Sequence, residues 1–225
     1  MLLWSIQIMK YPNFEEEKIL WEKGFKYVAG LDEAGRGSLS GPVVAGAVAF
    51  KTENLKIDKF IENLKLKIGN LIKDSKLLSQ KQREEAYEKL IKCDEIVWGI
   101  GVVSEKVIDK INILEATKLA MQKAVKKLKP CFLLIDGNFK VYCATPQFAI
   151  VNGDQKVMSI AMASIIAKVT RDRIMLKYHK KYPQYGFDKH KGYGTELHTR
   201  MLKKHGACKI HRKSFFPVSE TPVHK

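Results

Sequence analysis

Apolar and polar positions alternate in kind along this chain, and the changes of pattern mark the elements. The stretch NFEEEKILWEKG (13–24) predicts a short helix, with Asn13 as its N-cap, acids in its first turn and Gly24 as its stop. KYVAGLDEA (26–34) and PVVAGAVAF (42–50) are β-rich and are separated by a glycine-rich turn, which predicts two strands of one sheet. SQKQREEAYEKLIKC (79–93) opens with a capping box, Ser79 to Gln82, and continues with helical periodicity. EIVWGIGVVS (95–104) reads as a strand. NILEATKLAMQKAVKKL (112–128) reads as an amphipathic helix capped by Asn112 and Glu115 and ended by Pro130. CFLLIDG (131–137) is a short apolar run that terminates in Asp136 and Gly137. Beyond FAIVNGDQK (148–156) lies a long helical stretch rich in Ala and Ser (157–182). A glycine-rich, aromatic and basic segment (182–195) and one further helix (195–206) follow.

Strand 95–104, helix 112–128 and strand 131–137 form a βαβ order, which implies parallel neighbours in a covered sheet. Carboxylates at the C-terminal ends of such strands sit where α/β sites usually lie. No internal repeat and no low-complexity linker interrupts the 225 residues, so the expectation is one domain over 1–225. It would carry an N-terminal helical extension at 1–25 and a C-terminal portion from about 178 to 225.

Charge narrows the partner. Forty Lys and Arg stand against 24 Asp and Glu, a net charge of +16, which favours a polyanion such as nucleic acid. A Lys- and Glu-rich surface of the kind found in proteins from hot environments would produce the same excess. Cys93, Cys131, Cys143 and Cys208 match neither a CxxC pair nor a disulfide framework, so reduced thiols are expected. The opening MLLWSIQIM is too short and wrongly flanked for a signal peptide, and no apolar run approaches membrane-spanning length. A soluble, cytoplasmic protein with no membrane partner is the expectation.

Against that basic background, Asp32, Glu33, Asp136 and Asp154 each follow an apolar run and each has glycine within a few residues. Any one could be a strand running into a polar loop. Together they suggest a set, because buried acids are costly unless paired or metal-bound. Hard oxygen donors with no His or Cys cluster suit Mg²⁺ or Mn²⁺. In a basic protein such a cluster has a use: metal held by acids neutralises a scissile phosphate while Lys and Arg hold the backbone. The loop GRGSLSG (35–41) lacks the Lys-Ser/Thr of a P-loop and precedes a strand-like run, which argues against a dinucleotide fingerprint. It is either a plain tight turn or a loop whose backbone approaches a ligand closely.

The motifs AGLDEAGRGSLSGPVVAGAV, LLIDGN, GDQKVMSIAMASIIAKVTRDR and FDKHKGYGT, with IHRKSFFPV near the end, resemble in order those of bacterial ribonuclease HII, over roughly residues 28 to 216. The resemblance implies an RNase H-like α/β fold: a mixed central sheet flanked by helices, plus a small helical C-terminal portion that binds substrate. It implies an endonuclease that hydrolyses the phosphodiester 5′ to a ribonucleotide in RNA/DNA hybrids and at RNA–DNA junctions, acting as a monomer. By position it makes Asp32, Glu33, Asp136 and Asp154 the metal ligands. Gly35, Arg36 and Gly37 become the loop that reads the 2′-hydroxyl through its backbone, with Ser38 beside it, and Tyr193 becomes the tyrosine that packs on the sugar at the junction. A Cβ at either glycine is expected to intrude. The triplet Gly-Arg-Gly and the short leader before the first strand separate the chain from ribonuclease HIII, which carries Gly-Lys-Gly and an added N-terminal domain. Ser38, Ser40 and the run AMAS depart from common family choices without touching a ligand position.

Ser164, Lys168, Arg171 and Met175 recur at i, i+4, i+7 and i+11, one helical face. That face offers a hydroxyl and two cations to the phosphates of a duplex, or else is partly buried with its cations reaching to water. Lys76 and Asn112 are further candidate substrate contacts, carried mainly by the resemblance. His190 and His198 are read as structural or solvent-facing rather than as general bases, and Trp21 and Trp98 as core.

Overall fold

The computed structural model describes residues 11–52, 56–68, 72 and 78–221. Helix α1 (Glu15–Glu22) precedes strands β1 (Val28–Ala34) and β2 (Val43–Phe50). Helices α2 (Ile57–Ile68) and α3 (Gln80–Ile91) lead to β3 (Ile96–Val103), and α4 (Glu105–Ile111) and α5 (Ile113–Val125) lead to β4 (Phe132–Asp136) and β5 (Gln147–Ile150). The long α6 (Met158–Lys181) and the short α7 (Phe187–His190) and α8 (Glu196–His205) complete the order. The Ser79–Gln82 capping box at α3 is formed in both directions. Asn13 Oδ1 accepts from the Glu15 N–H at 2.8 Å. Among the described residues α2, α4 and the single-turn α7 have no counterpart in the sequence reading, although Phe60, Ile61, Leu64 and Ile68 bury a helical stripe of α2.

The sheet is mixed, in the order β3-β2-β1-β4-β5. β1 pairs antiparallel with β2 and parallel with β4, β2 pairs antiparallel with β3, and β4 pairs parallel with β5. This corrects the expected pairing of 95–104 with 131–137: the crossover through α4 and α5 passes over two strands. The hairpin of β1 and β2 forms first in sequence, and β3 takes the outer edge of β2. β4 then adds to the far edge of β1 and not to the open edge of β3.

Two apolar layers cover the sheet. Ala29, Leu31, Leu133 and Ile135 pack with Ala116, Ala120 and Met121 of α5 on one face. Val28, Val48 and Leu134 pack with Ile160, Met162, Ile165 and Ile166 of α6 on the other, together with Leu20 and Trp21 of α1. Each large aliphatic side chain so buried contributes about 1.5–3 kcal/mol. α6 is buried on nearly all sides over its first turns. It can lie against the sheet because of Gly46, where a Cβ would stand 2.3 Å from the Ala163 carbonyl oxygen. α1 holds the start of α6: Met158 N donates to Asn13 O at 2.9 Å and Ser159 N to the buried Glu17 Oε1 at 2.8 Å. The segment 13–22 is thereby part of the core, with Trp21 inside it and Trp98 packed against it.

Candidate active site

Parallel pairing puts the C-terminal ends of β1 and β4 on one edge of the sheet, and the register of Leu31 opposite Ile135 brings Asp32 level with Asp136. Asp154 follows β5 in a 3₁₀ turn, Gly153–Gln155, immediately before α6. Asp32, Glu33, Asp136 and Asp154 accordingly line one pocket of about 280 Å³, together with Ala34, Arg83, Ser164, Lys168 and Tyr193.

Three of the acids, Asp32, Asp136 and Glu33, are engaged by donors close to them. Asp32 Oδ1 accepts from Glu33 N at 2.7 Å, and the Ser164 hydroxyl hydrogen-bonds the Asp32 carboxyl. Asp136 Oδ1 accepts from Gly153 N at 2.6 Å, which ties the end of β4 to the turn that carries Asp154. Glu33 Oε1 faces Arg36 Nη1 at 3.5 Å, while its buried Oε2 has no hydrogen-bond partner among the described residues. Burial raises the Asp32 pKa well above the carboxylate range, with Glu33 and Asp136 adding repulsion. Burial also raises Glu33 to about 7, Asp136 adding to the rise and Arg36 opposing it.

The donor chemistry fits a hard divalent cation: only carboxylate oxygens, mutual repulsion that positive charge would relieve, and an orphaned oxygen in the pocket wall. The carboxylates are not already drawn around one point, since among the described residues no set of three His, Cys, Asp or Glu closes to metal-holding distance. Their present partners are their own neighbouring donors, which like charges prefer to one another.

The other expected residues divide. Tyr193 and Lys168 both reach the pocket, with Lys168 Nζ 2.9 Å from Asp172 Oδ1 and 5.3 Å from the Tyr193 ring centre. Ser38 forms an isolated main-chain bridge with Tyr193, and its buried Oγ has no hydrogen-bond partner among the described residues. Asn112 caps α5, its Oδ1 accepting from Glu115 N at 3.1 Å, and is not among the pocket-lining residues. Lys76 lies outside the described residues.

Arg171 departs from the expected phosphate contact. It is fully buried and donates from Nε to Pro42 O at 3.0 Å, from Nη1 to Lys191 O at 2.9 Å and from Nη2 to Ser40 O at 3.1 Å. With its fork spent on three carbonyls, the side chain ties the glycine loop to the turn before Tyr193. Gly35, at φ +90°, has its missing Cβ direction filled by Arg171 Nε at 1.8 Å, whereas a Cβ at Gly37 would meet nothing within 4 Å. The expected intrusion of a Cβ is therefore found at Gly35 and not, within the protein, at Gly37.

Sequence reasoning missed Arg83, Arg212 and His211, while its structural reading of His190 and His198 is met by the contacts of those side chains. Arg83 of α3 lines the pocket and donates to Leu78 O. Arg212, fully buried, donates to Gly35, Arg36 and Gly41 carbonyls. The histidines are linked: His198 joins Tyr193 O at 2.9 Å through Nδ1 and His211 at 3.0 Å through Nε2, and His190 Nδ1 accepts from Gly192 N at 3.1 Å. Burial lowers the pKa of all three, His198 to about 4 and His211 to about 3, so they are neutral supports of the Tyr193 turn. Lying in the quoted IHRKSFFPV and FDKHKGYGT motifs, Arg212, His211 and His190 were visible as residues but not as contacts.

The sequence model of the family described as Ribonuclease HII matches residues 29–218. The chain belongs to the ribonuclease HII family. A Ribonuclease HII of Chlamydia muridarum is 50% identical over 210 residues, covering 92% of this chain and 89% of that protein. One from Acetivibrio thermocellus is 52% identical over 201 residues, covering 88% and 73%. Among solved structures, the ribonuclease H2 of Pyrococcus horikoshii is similar with a TM-score of 0.66 and 31% identity, covering 86% of this chain and 96% of that one. Ribonuclease HII membership makes the chain an endoribonuclease of the ribonuclease H type that acts on nucleic acid, in a family that depends on divalent metal. The α/β fold with its mixed, helix-flanked sheet is that of these ribonucleases. No helix among the described residues is long and apolar enough to cross a membrane.

Proposed function

We propose that the chain hydrolyses the phosphodiester on the 5′ side of a ribonucleotide, in RNA/DNA hybrids and at RNA–DNA junctions in duplex DNA, leaving 3′-hydroxyl and 5′-phosphate ends. The observation that supports this most is the shared pocket: four carboxylates from two parallel strand ends and a helix-leading turn, with Tyr193 in the same wall. Asp32, Glu33, Asp136 and Asp154 would hold Mg²⁺ or Mn²⁺. When bound, such ions offset phosphate charge and make water more acidic.

The chain's own groups do the rest. The Ser164 hydroxyl orients Asp32, and the Gly153 N–H orients Asp136. Lys168 and Arg83 bring positive charge to the pocket wall, where a phosphate would otherwise meet only acid. Discrimination of RNA from DNA rests on the 2′-hydroxyl, the group that differs at the sugar. The backbone of Gly35, Arg36 and Gly37 is read as its sensor, with Ser38 beside it, and the Tyr193 ring as the surface under the adjoining sugar. The proposed unit is a cytoplasmic monomer, one catalytic domain over 1–225 whose portion from 178 onward binds substrate. Four free cysteines fit a reducing compartment.

The deciding experiment is cleavage of an end-labelled DNA duplex carrying one embedded ribonucleotide, in Mg²⁺ and again in Mn²⁺, beside an all-DNA duplex. A single cut 5′ to the ribonucleotide is the expected product. Binding without cutting in either metal, or a need for a run of ribonucleotides, overturns the reading.

A further inference from the structure

Arg212 presents a physical puzzle. It is wholly buried, and the partners of its guanidinium nitrogens among the described residues are all main-chain carbonyls: Gly41 O from Nε at 3.0 Å, Arg36 O from Nη1 at 2.9 Å and Gly35 O from Nη2 at 2.7 Å. Burial and the neighbouring Arg171 guanidinium pull its pKa down to about 9, a sign of how little its charge is compensated. Among the described residues no carboxylate hydrogen-bonds the guanidinium, Glu105 and Asp109 acting on it only as more distant charges, so its three carbonyl contacts must offset the cost of burying it. What a guanidinium offers is a rigid planar fork with donors in fixed directions. All three of its acceptors belong to the glycine loop.

The consequence follows from peptide geometry. In a planar trans peptide the N–H points opposite to the C=O. The Gly35 carbonyl shares its peptide with the Arg36 N–H, and the Arg36 carbonyl shares its peptide with the Gly37 N–H. By drawing both carbonyls inward, Arg212 turns both N–H groups away from itself, and Arg36 and Gly37 are exposed. Beyond Gly37 there is open space where a side chain would otherwise stand. The loop is anchored from the far side as well: Arg212 N donates to Leu39 O at 2.9 Å, and Ser40 bridges to His211.

We infer that Arg212 is a positioning residue for ribose recognition: its fork sets the two peptide planes of the GRG loop so that the Arg36 and Gly37 N–H groups form an outward donor pair for the 2′-oxygen of the ribonucleotide. This rests on the reading of the loop as the sugar sensor. Arg212 never touches the substrate. It acts through the direction of two amides, so its loss impairs the choice between sugars more than the grip on the duplex.

The test pairs amide exchange with kinetics, using the full chain. First, exchange of the Arg36 and Gly37 amides is followed in the parent protein, in EDTA, with a duplex holding one ribonucleotide and with its all-DNA counterpart. Slower exchange with the ribonucleotide duplex alone is expected. Equal exchange with both duplexes refutes the sugar-sensing loop, and the role of Arg212 with it. Second, Arg212→Lys, which keeps the charge and loses the fork, is compared with the parent. Expected is a loss of tenfold or more in kcat/KM on the single-ribonucleotide duplex, duplex Kd in EDTA within threefold, and no ribose-dependent slowing of the two amides. If the parent amides respond but Arg212→Lys keeps both that response and kcat/KM within twofold, the loop reading stands and the inference about Arg212 is wrong. Equal losses in Kd and kcat/KM with the amide response intact mark a merely structural role. Should Arg212→Lys not fold, Arg212→Gln, which keeps a planar donor at reduced reach, takes its place under the same criteria.

Discussion

Two groups of buried charge lie within one site and are treated in opposite ways. The arginines, Arg171 and Arg212, have three main-chain acceptors each and are fully enclosed. The carboxylates crowd one another, leave Glu33 Oε2 without a hydrogen-bond partner among the described residues and carry raised pKa values at Asp32 and Glu33. The contrast separates holding a shape from awaiting a ligand. A satisfied buried charge is scaffold, and its removal leaves carbonyls stranded. An unsatisfied cluster of like charge is a site that costs the fold something until an opposite charge arrives.

The sharpest way to break this comparison is to neutralise one member of each group. Asp136→Asn is expected to reduce cleavage by about a thousandfold or more, roughly 4 kcal/mol in the barrier, while the melting temperature stays level or rises. Cleavage within tenfold of the parent would remove Asp136 from the metal-holding set. Arg171→Met should do the reverse to stability, costing about 3–5 kcal/mol in urea denaturation because it strands the carbonyls of Ser40, Pro42 and Lys191. A cost below about 1 kcal/mol would mean that these carbonyls find other donors.

Acidity gives a gentler test. The folded pKa of Glu33 lies above its unfolded value, so the protonated form stabilises the fold at low pH and that contribution is lost as pH rises from about 4.5 through about 7. In metal-free buffer Glu33→Gln should therefore exceed the parent in stability by roughly 2 kcal/mol at pH 8, the excess shrinking toward pH 5. A difference that does not change with pH would show that Glu33 is not strained. The smallest effect separates the two glycines. Gly35→Ala, at a positive φ and against the Arg171 side chain, should cost about 1–3 kcal/mol, and Gly37→Ala less than about 0.5 kcal/mol of stability. Equal costs would contradict the packing of Arg171 behind the loop.

Much of this was legible in the linear pattern. The run AGLDEA carries its acids where the strand is ending, and LLID does the same, so three of the four carboxylates could be placed at strand ends without coordinates. The Ala- and Ser-rich run from Met158 announced a long helix, though not how deeply it is buried. Strand order was not legible: β3 and β4 are joined by a crossover, but nothing local says that β1 and β2 stand between them. Arg171 was assigned to the correct helical face and the wrong neighbour. Spacing of i, i+4 and i+7 states which side a residue occupies, while what covers that side comes from Pro42 and Lys191, far away in the chain.

By itself, then, the sequence determined the elements, the acids at their ends, the glycine loop and the family resemblance, because each is written in neighbouring residues and their periodicity. The tertiary structure alone decided which charges are scaffold and which are site. That distinction depends on acceptors as distant as Gly35 is from Arg212, and on the desolvation that only a closed core imposes.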